Sequence, residues 1–309
     1  MSGCDKKVLI LYQPTLPYMK KYTSIGELLI DYRELSDVSQ TDLASSFDVD
    51  VRTILRWEKN QTLLKPDKEE EMAAITFIPH QVIRNLNTSF AIPTYYDFDL
   101  RKYSLSTLSN PLPDINWIKE SIDTVSNKIR PIETEKDINN IIRYTLAQKD
   151  SLKSISKIVI REAIRLLPEL SLLVVDEQGN YAGHSLYFPL SLEAYQQIKN
   201  QELMEKDITT DHLVNYKDQS PPVFYCHSIT ADCNENFFFI IGAVLKFYRD
   251  SPLDKNYIYA IITSRYDSYE MNKDLGVQLI WEDVIQQENL NLKVPPRLYE
   301  GSFNGFLNK

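Results

Sequence analysis

Between Ser24 and Leu86 apolar residues recur every three or four positions, the spacing that gathers them on one side of a helix. Ile25, Leu28, Leu29, Tyr32 and Leu35 predict a helix capped by Ser24. Leu43, Ala44 and Phe47, then Ile54 and Trp57, predict two shorter helices between Ser39 and Glu58. Ser39 with Asp42 makes a capping box for the first and Asp50 caps the second, while Asp48 takes the left-handed turn position and Val49 plugs the corner. From Asp67 a helix with Met72, Ile75, Phe77, Ile78, Val82, Ile83 and Leu86 follows, kinked or broken at Pro79. Its apolar face would complete a small core or pair two copies of the chain.

Beyond residue 127 the period changes. Lys128–Ile132 reads as a strand, then come helices from Thr134 to Leu146 and from Ile155 to Leu167. Leu172–Val175 and Tyr181–Phe188 flank a hairpin turn at Asp176–Asn180. A helical insertion over 191–220 precedes strand Val223–Thr230, helix Phe237–Arg249, strand Tyr257–Thr263, helix Tyr266–Leu275, strand Val277–Trp281 and an extended Arg297–Phe303. The predicted architecture is multidomain, α then α/β: an N-terminal arm (1–21, a strand or a loose segment), an all-α domain (22–86), a connector (87–127) and a mixed-sheet α/β domain (128–309). The connector is crowded with Tyr95, Tyr96, Phe98, Tyr103 and Trp117, read as packing across the domain junction.

A chain of 309 residues suits two domains. No apolar run approaches the ~20 residues of a membrane helix, and Cys4, Cys226 and Cys233 form no CxxC pair. A reduced, cytoplasmic setting and no membrane are expected. Net charge −9 argues against a chain coated in polyanion but leaves a local groove contact open. His80 and His212 have no ligand-spaced companions, so no metal site is expected.

The Ser39–Glu58 stretch resembles the helix-turn-helix of the lambda-repressor/Cro-like (XRE) family over residues 22–86. Gln40, the Leu43-Ala44 and Trp57-Glu58 landmarks, and Arg33 with Glu58 as a buried ion pair carry the likeness, with Asp48 in place of the family's usual Gly. The resemblance implies double-stranded DNA as partner, bound by a homodimer. Arg on the exposed second helix suits the major groove, where it can donate two hydrogen bonds to a guanine edge. Expected DNA-binding residues are Gln40, Asp50, Val51, Arg52, Leu55, Arg56 and Lys59, with Arg52 reading a base and Val51 meeting a thymine methyl. Between Tyr22 and Lys65 five basic residues face eight acidic ones, so one copy should bind weakly.

The second half resembles the GNAT acetyltransferase fold in its element order and in Leu275-Gly276-Val277, similar to the landmark ending that family's fourth helix. That resemblance implies acetyl-CoA held by a Gly-rich RxxGxG/A loop after the fourth strand. Here Ala231-Asp232-Cys233-Asn234-Glu235-Asn236 stands there, with no glycine, no arginine and two carboxylates. Asn234 and Asn236 are its candidate cofactor contacts. Asn272 occupies the position of the family's general-acid tyrosine, leaving Tyr269 or His227 as candidate catalytic groups, while His184 and His227 otherwise read as hydrogen-bonded core histidines.

These observations lead to a DNA-binding transcriptional regulator whose GNAT-like domain is non-catalytic and senses a small-molecule effector or assembles the protein. The alternatives are an acyl-CoA-dependent N-acyltransferase with a DNA-binding appendage, and a protein-interaction module that never touches DNA. Arg52→Ala is expected to relax base preference and cost about 1–3 kcal/mol, while Lys59→Ala weakens all sequences alike and flattens the salt dependence. Unchanged site preference in Arg52→Ala, read by selection from random DNA, would remove Arg52 from base reading.

Overall fold

The computed structural model describes residues 19–106, 118–120, 122–124, 126–147, 155–251, 256–266 and 268–308. Most of the N-terminal arm and Trp117 lie outside them.

The helical part forms as its polar punctuation dictates. Strand β1 (Lys20–Tyr22) leads to α1 (Ile25–Ser36), where the Ser24 hydroxyl accepts the Glu27 N–H. The capping box of Ser39 and Asp42 opens α2 (Gln40–Ser46). Asp48 is left-handed at φ 48°, and Asp50 accepts the Arg52 N–H at 2.8 Å to begin α3 (Val51–Glu58). Gly26 is required where α1 meets the end of α3, because a Cβ there would lie 2.3 Å from the Glu58 carbonyl oxygen. The expected ion pair is present: Arg33 Nε donates to Glu58 Oε1 at 2.5 Å, and Gln40 Nε2 donates to the other carboxylate oxygen at 2.5 Å.

Helices α4 (Pro66–Thr76) and α5 (His80–Leu86) are separate, since Phe77 turns left-handed at φ 56° and Pro79 has no N–H to continue the ladder. Met72, Ile78, Val82, Ile83 and Leu86 join Leu28, Leu43, Phe47, Ile54 and Trp57 in one core. The apolar face of α4 and α5 therefore completes the small core and is not left for a second copy.

The stretch read as a connector departs from expectation. Strand β2 (Thr94–Asp97) pairs with β1 on one side and with β3 (Lys102–Ser104) on the other, in an antiparallel sheet of order β1-β2-β3. Tyr96 is buried against Phe98, ring centroids 4.8 Å apart and edge-on, and Tyr22 and Tyr32 meet the same Phe98. These aromatics close the small core, and the same segment also meets the α/β unit, where the Tyr103 N–H donates to the Asp232 carbonyl.

The remaining elements follow the predicted alternation: β4 (Ile129–Pro131), α6 (Glu135–Ala147), α7 (Lys157–Leu166), β5 (Leu172–Val175), β6 (Tyr181–Leu190), α8 (Leu192–Lys199), β7 (Val223–Ala231), α9 (Asn234–Asp250), β8 (Ile258–Thr263), α10 (Ser268–Asp274), β9 (Gln278–Glu282), α11 (Val284–Leu290), β10 (Arg297–Gly301) and α12 (Asn304–Leu307). Helices α11 and α12 are additions to it. The sheet order is β4-β5-β6-β7-β8-β10-β9, antiparallel except for the parallel pair β7 and β8. Phe237, Ile240, Ile241 and Val244 of α9 cover one face, and Ile141 of α6, Val159 and Ile160 of α7 and Tyr195 of α8 cover the other. The chain is thus a multidomain α and α/β protein. Among the described residues no helix is long and apolar enough to cross a membrane.

Glu58 holds two neighbours from a side chain only 6% exposed, so Glu58→Ala strands the Arg33 guanidinium. The expected loss is about 2–4 kcal/mol by urea unfolding. A loss below about 0.5 kcal/mol, the range of an exposed pair, would show that the pair does not lock the three helices.

Candidate functional site

Strands β7 and β8 run together only from the Val223–Ile258 pair to the Cys226–Ile261 pair. Beyond it β7 continues to Ala231 on its ladder with β6, and β8 no longer follows it. A bulge accompanies the parting. Leu186 pairs with Ser228 and Tyr187 with Cys226, leaving His227 as the extra residue. A bulge of this kind turns two successive side chains toward the same face, so His227 and Ser228 both line the cleft that opens between the strands. Its volume is about 410 Å³.

Each side chain is held. His227 stacks on Phe188 at 4.7 Å, and its Nδ1 lies 2.7 Å from Glu205 Oε1 on the segment after α8. Ser228 Oγ is 2.8 Å from Nε2 of the fully buried His184, whose Nδ1 meets the Tyr181 hydroxyl. Burial holds the Tyr181 phenol well above its ordinary range, so it stays protonated. A second cavity of about 270 Å³, lined by Glu205, Trp281 and Asp283, shares Thr263, Ser264 and Leu292 with the cleft. The arrangement can bind a small molecule and orient an imidazole against a carboxylate, which is the minimum for moving a proton.

The start of α9 is built differently from an anion-binding loop. Asp232 is 8% exposed and its carboxylate accepts from Asn236 Nδ2 at 2.7 Å. Strand β3 lies over it: the Tyr103 N–H donates to the Asp232 carbonyl at 2.7 Å, and Lys102 Nζ sits 5.3 Å from the Phe237 ring. Burial pushes the Asp232 carboxyl up to about 6, with Asn236 acting in the opposite sense, and pushes the Cys233 thiol up to about 12. Asn236 is spent on Asp232, and Asn234 opens the helix beside the exposed Glu235. These residues do not fit the pyrophosphate of an acyl-CoA, whose charge would meet an internal carboxylate and a strand already in place.

No family model matches the chain, and no curated protein does. Among solved structures it is similar to a histone acetyltransferase HPA2 and related acetyltransferase from Corynebacterium glutamicum ATCC 13032, at 13% identity and a TM-score of 0.32 over 57% of this chain and 96% of that one. The element order described above is the ground for calling the α/β unit GNAT-like in fold.

The other residues singled out from sequence are scattered. Tyr269 is 40% exposed beneath the Arg297 guanidinium and is not among the residues lining the cleft. Asn272 is buried and donates to the Ser268 carbonyl at 2.9 Å. Val51, Arg52, Leu55 and Arg56 on α3 and Lys59 at its C-cap are exposed, and among the described residues no ion pair engages the three cations. Asp50 is occupied with its cap and Gln40 with Glu58. Glu205, Asp97 and Asp99 were not singled out, because loop residues distant in sequence carry no pattern that places them at a cleft. His80 and His212 serve locally, the first accepting from Asn180 and the second capping its own turn. Among the described residues no cluster suits a metal.

A carboxyl whose folded value is about 6 against an ordinary 3.8 holds its proton more tightly in the folded state. Its contribution to stability is therefore lost as pH rises from about 4 to about 6, and the penalty stays constant above. Asp232→Asn should gain on the parent chain across that window by on the order of 1–3 kcal/mol. Melting temperatures that run parallel from pH 4 to 6 would refute the buried-carboxyl assignment.

Proposed function

We propose that the chain is a DNA-binding transcriptional regulator of the XRE type whose GNAT-like unit binds a small molecule without acyl-transfer chemistry. The observation that carries the DNA reading is the division of α3. Ile54 and Trp57 are locked into the core while Arg52, Arg56 and Lys59 stand uncommitted on the outer face. Arg52 is the second residue after the Asp50 N-cap, in the first turn, where a helix entering the major groove presents its base-reading residues. The acidic balance of residues 22–65 favours action as a homodimer, whose two-fold axis would place half-sites about one helical turn apart. The buried Asp232 under β3 supports the non-catalytic reading, since a cofactor would have to displace both.

One observation favours the transferase alternative: His227, oriented by Glu205, faces the cleft. Two measurements separate the readings. Calorimetric titration with acetyl-CoA and free CoA should show no binding at micromolar concentration, and selection from random DNA should return an inverted-repeat site. Micromolar CoA binding would replace the sensing reading by the transferase. Failure to enrich any DNA sequence would overturn the regulator.

A further inference from the structure

The cleft and the cavity beside it are walled differently. Leu203, Ile262, Trp281, Leu290 and Pro296 line the second cavity. The Trp281 Nε1–H donates to the Lys199 carbonyl at 3.1 Å, which leaves the ring itself as apolar wall. The cleft proper has a hydrogen-bonding group on its strand side. Ser228 Oγ uses one position on His184 Nε2, and a hydroxyl has three. Thr263, Ser264 and Leu292 line both spaces and mark where one meets the other. A polar end at Ser228 and an apolar end past Leu292 describe one elongated site.

The charged groups around that site balance. Histidines aside, Lys206, Arg265 and Lys293 line the two spaces together with Asp99, Glu205 and Asp283. Most are engaged: Asp99 with Lys293, Glu205 with His227, and Arg265 with a partner of its own. Asp283 Oδ1 accepts the Gln286 N–H at 2.9 Å and so caps α11. An ionic ligand would find no excess of the opposite sign, and its charge would be desolvated at the apolar end without compensation. We propose that the joined cavities take an uncharged amphipathic molecule, with one hydrogen-bonding head at Ser228 and an apolar chain laid past Leu292 against Trp281. The head fixes orientation and the chain supplies most of the affinity, the division of labour of small-molecule pockets. Leu100, buried in the turn between β2 and β3, lines the cleft as well, so the ligand also touches the N-terminal unit. The proposal rests on the small-molecule role given above and names the class of ligand.

The probes are straight-chain primary alcohols, titrated calorimetrically into the full chain. Each added methylene should tighten binding about three- to fourfold until the second cavity is full, after which further length gains nothing. The carboxylate and the amine of equal chain length should bind at least about tenfold more weakly. Gln286 lines the second cavity from α11, none of whose residues is buried, so Gln286→Trp fills the space without disturbing the core. That variant should reach its plateau at a shorter chain with the initial slope unchanged. Ser228→Ala should weaken every alcohol by a similar factor, about two- to tenfold, and leave the slope as it is. No binding, or a constant affinity along the series, overturns the apolar end, and a plateau unmoved by Gln286→Trp overturns its location. Unchanged affinities in Ser228→Ala overturn the placement of the head, and an acid or amine that binds more tightly than the alcohol overturns the neutral class. Neither DNA nor CoA is present, so these outcomes stand apart from those that test the regulator and the transferase.

Discussion

The parting of β7 from β8 after Cys226 is the constraint on which the α/β unit depends. A nine-residue strand that keeps its neighbour on one side and loses the other has two options. It can bury polar backbone at a large cost, or it can face a cavity. The bulge at His227 follows from the same geometry, because the strand twists more sharply where it leaves its partner. Two polar side chains then face one way, and each is held by a buried or half-buried partner, Glu205 for His227 and His184 for Ser228. The strand side of the cleft is thus held in place by these partners.

The N-terminal unit is rigid for a different reason. A single carboxylate, Glu58, sits where α1, α2 and α3 converge and receives hydrogens from two of them. Its near-complete burial makes those bonds matter, since an unsatisfied carboxylate there would be far costlier than one at the surface. The contacts between the units are of another kind and include a tyrosine hydroxyl on Asp97, an exposed ion pair at Asp99, a main-chain bond at Asp232, the Asn180 amide on His80, Lys102 over the Phe237 ring and the Phe77 ring edge-on to Tyr144 at 6.4 Å. The two units keep separate cores and meet through individual side-chain and main-chain contacts, the kind of interface that permits relative motion of domains.

What could be read from sequence was local. Caps, the left-handed Asp48 and the Arg33–Glu58 pair were legible because each depends on residues at fixed short offsets or on a known helical arrangement. The β-α alternation after residue 127 was legible because the period changes. The small sheet was not: β1 and β3 have three residues each, too few for an alternation to emerge, and aromatics next to prolines read equally well as a linker. Helix α11 escaped because none of its residues is buried, so it carries no apolar stripe; Asp283 at its start and the left-handed Asn291 at its end were the available cues. The cleft was illegible in principle. A bulge is set by which residue fails to pair, and Glu205 reaches His227 from an insertion whose length says nothing of its path.

Asp232 is the instructive case, because the sequence and the structure bear on it from opposite sides. In the chain it appears as a carboxylate where a phosphate-binding loop would need glycine, an argument from repulsion. In the fold it lies at the start of a seventeen-residue helix, where the aligned peptide dipoles favour negative charge. Desolvation nevertheless outweighs that attraction and raises its proton affinity. The carboxylate, Asn236 and the β3 main chain together supply what a bound anion would have supplied, without the anion. A helix end satisfied from within has no need of a cofactor's phosphate. That leaves the cleft between β7 and β8 and the cavity adjoining it, and not this helix end, for a ligand.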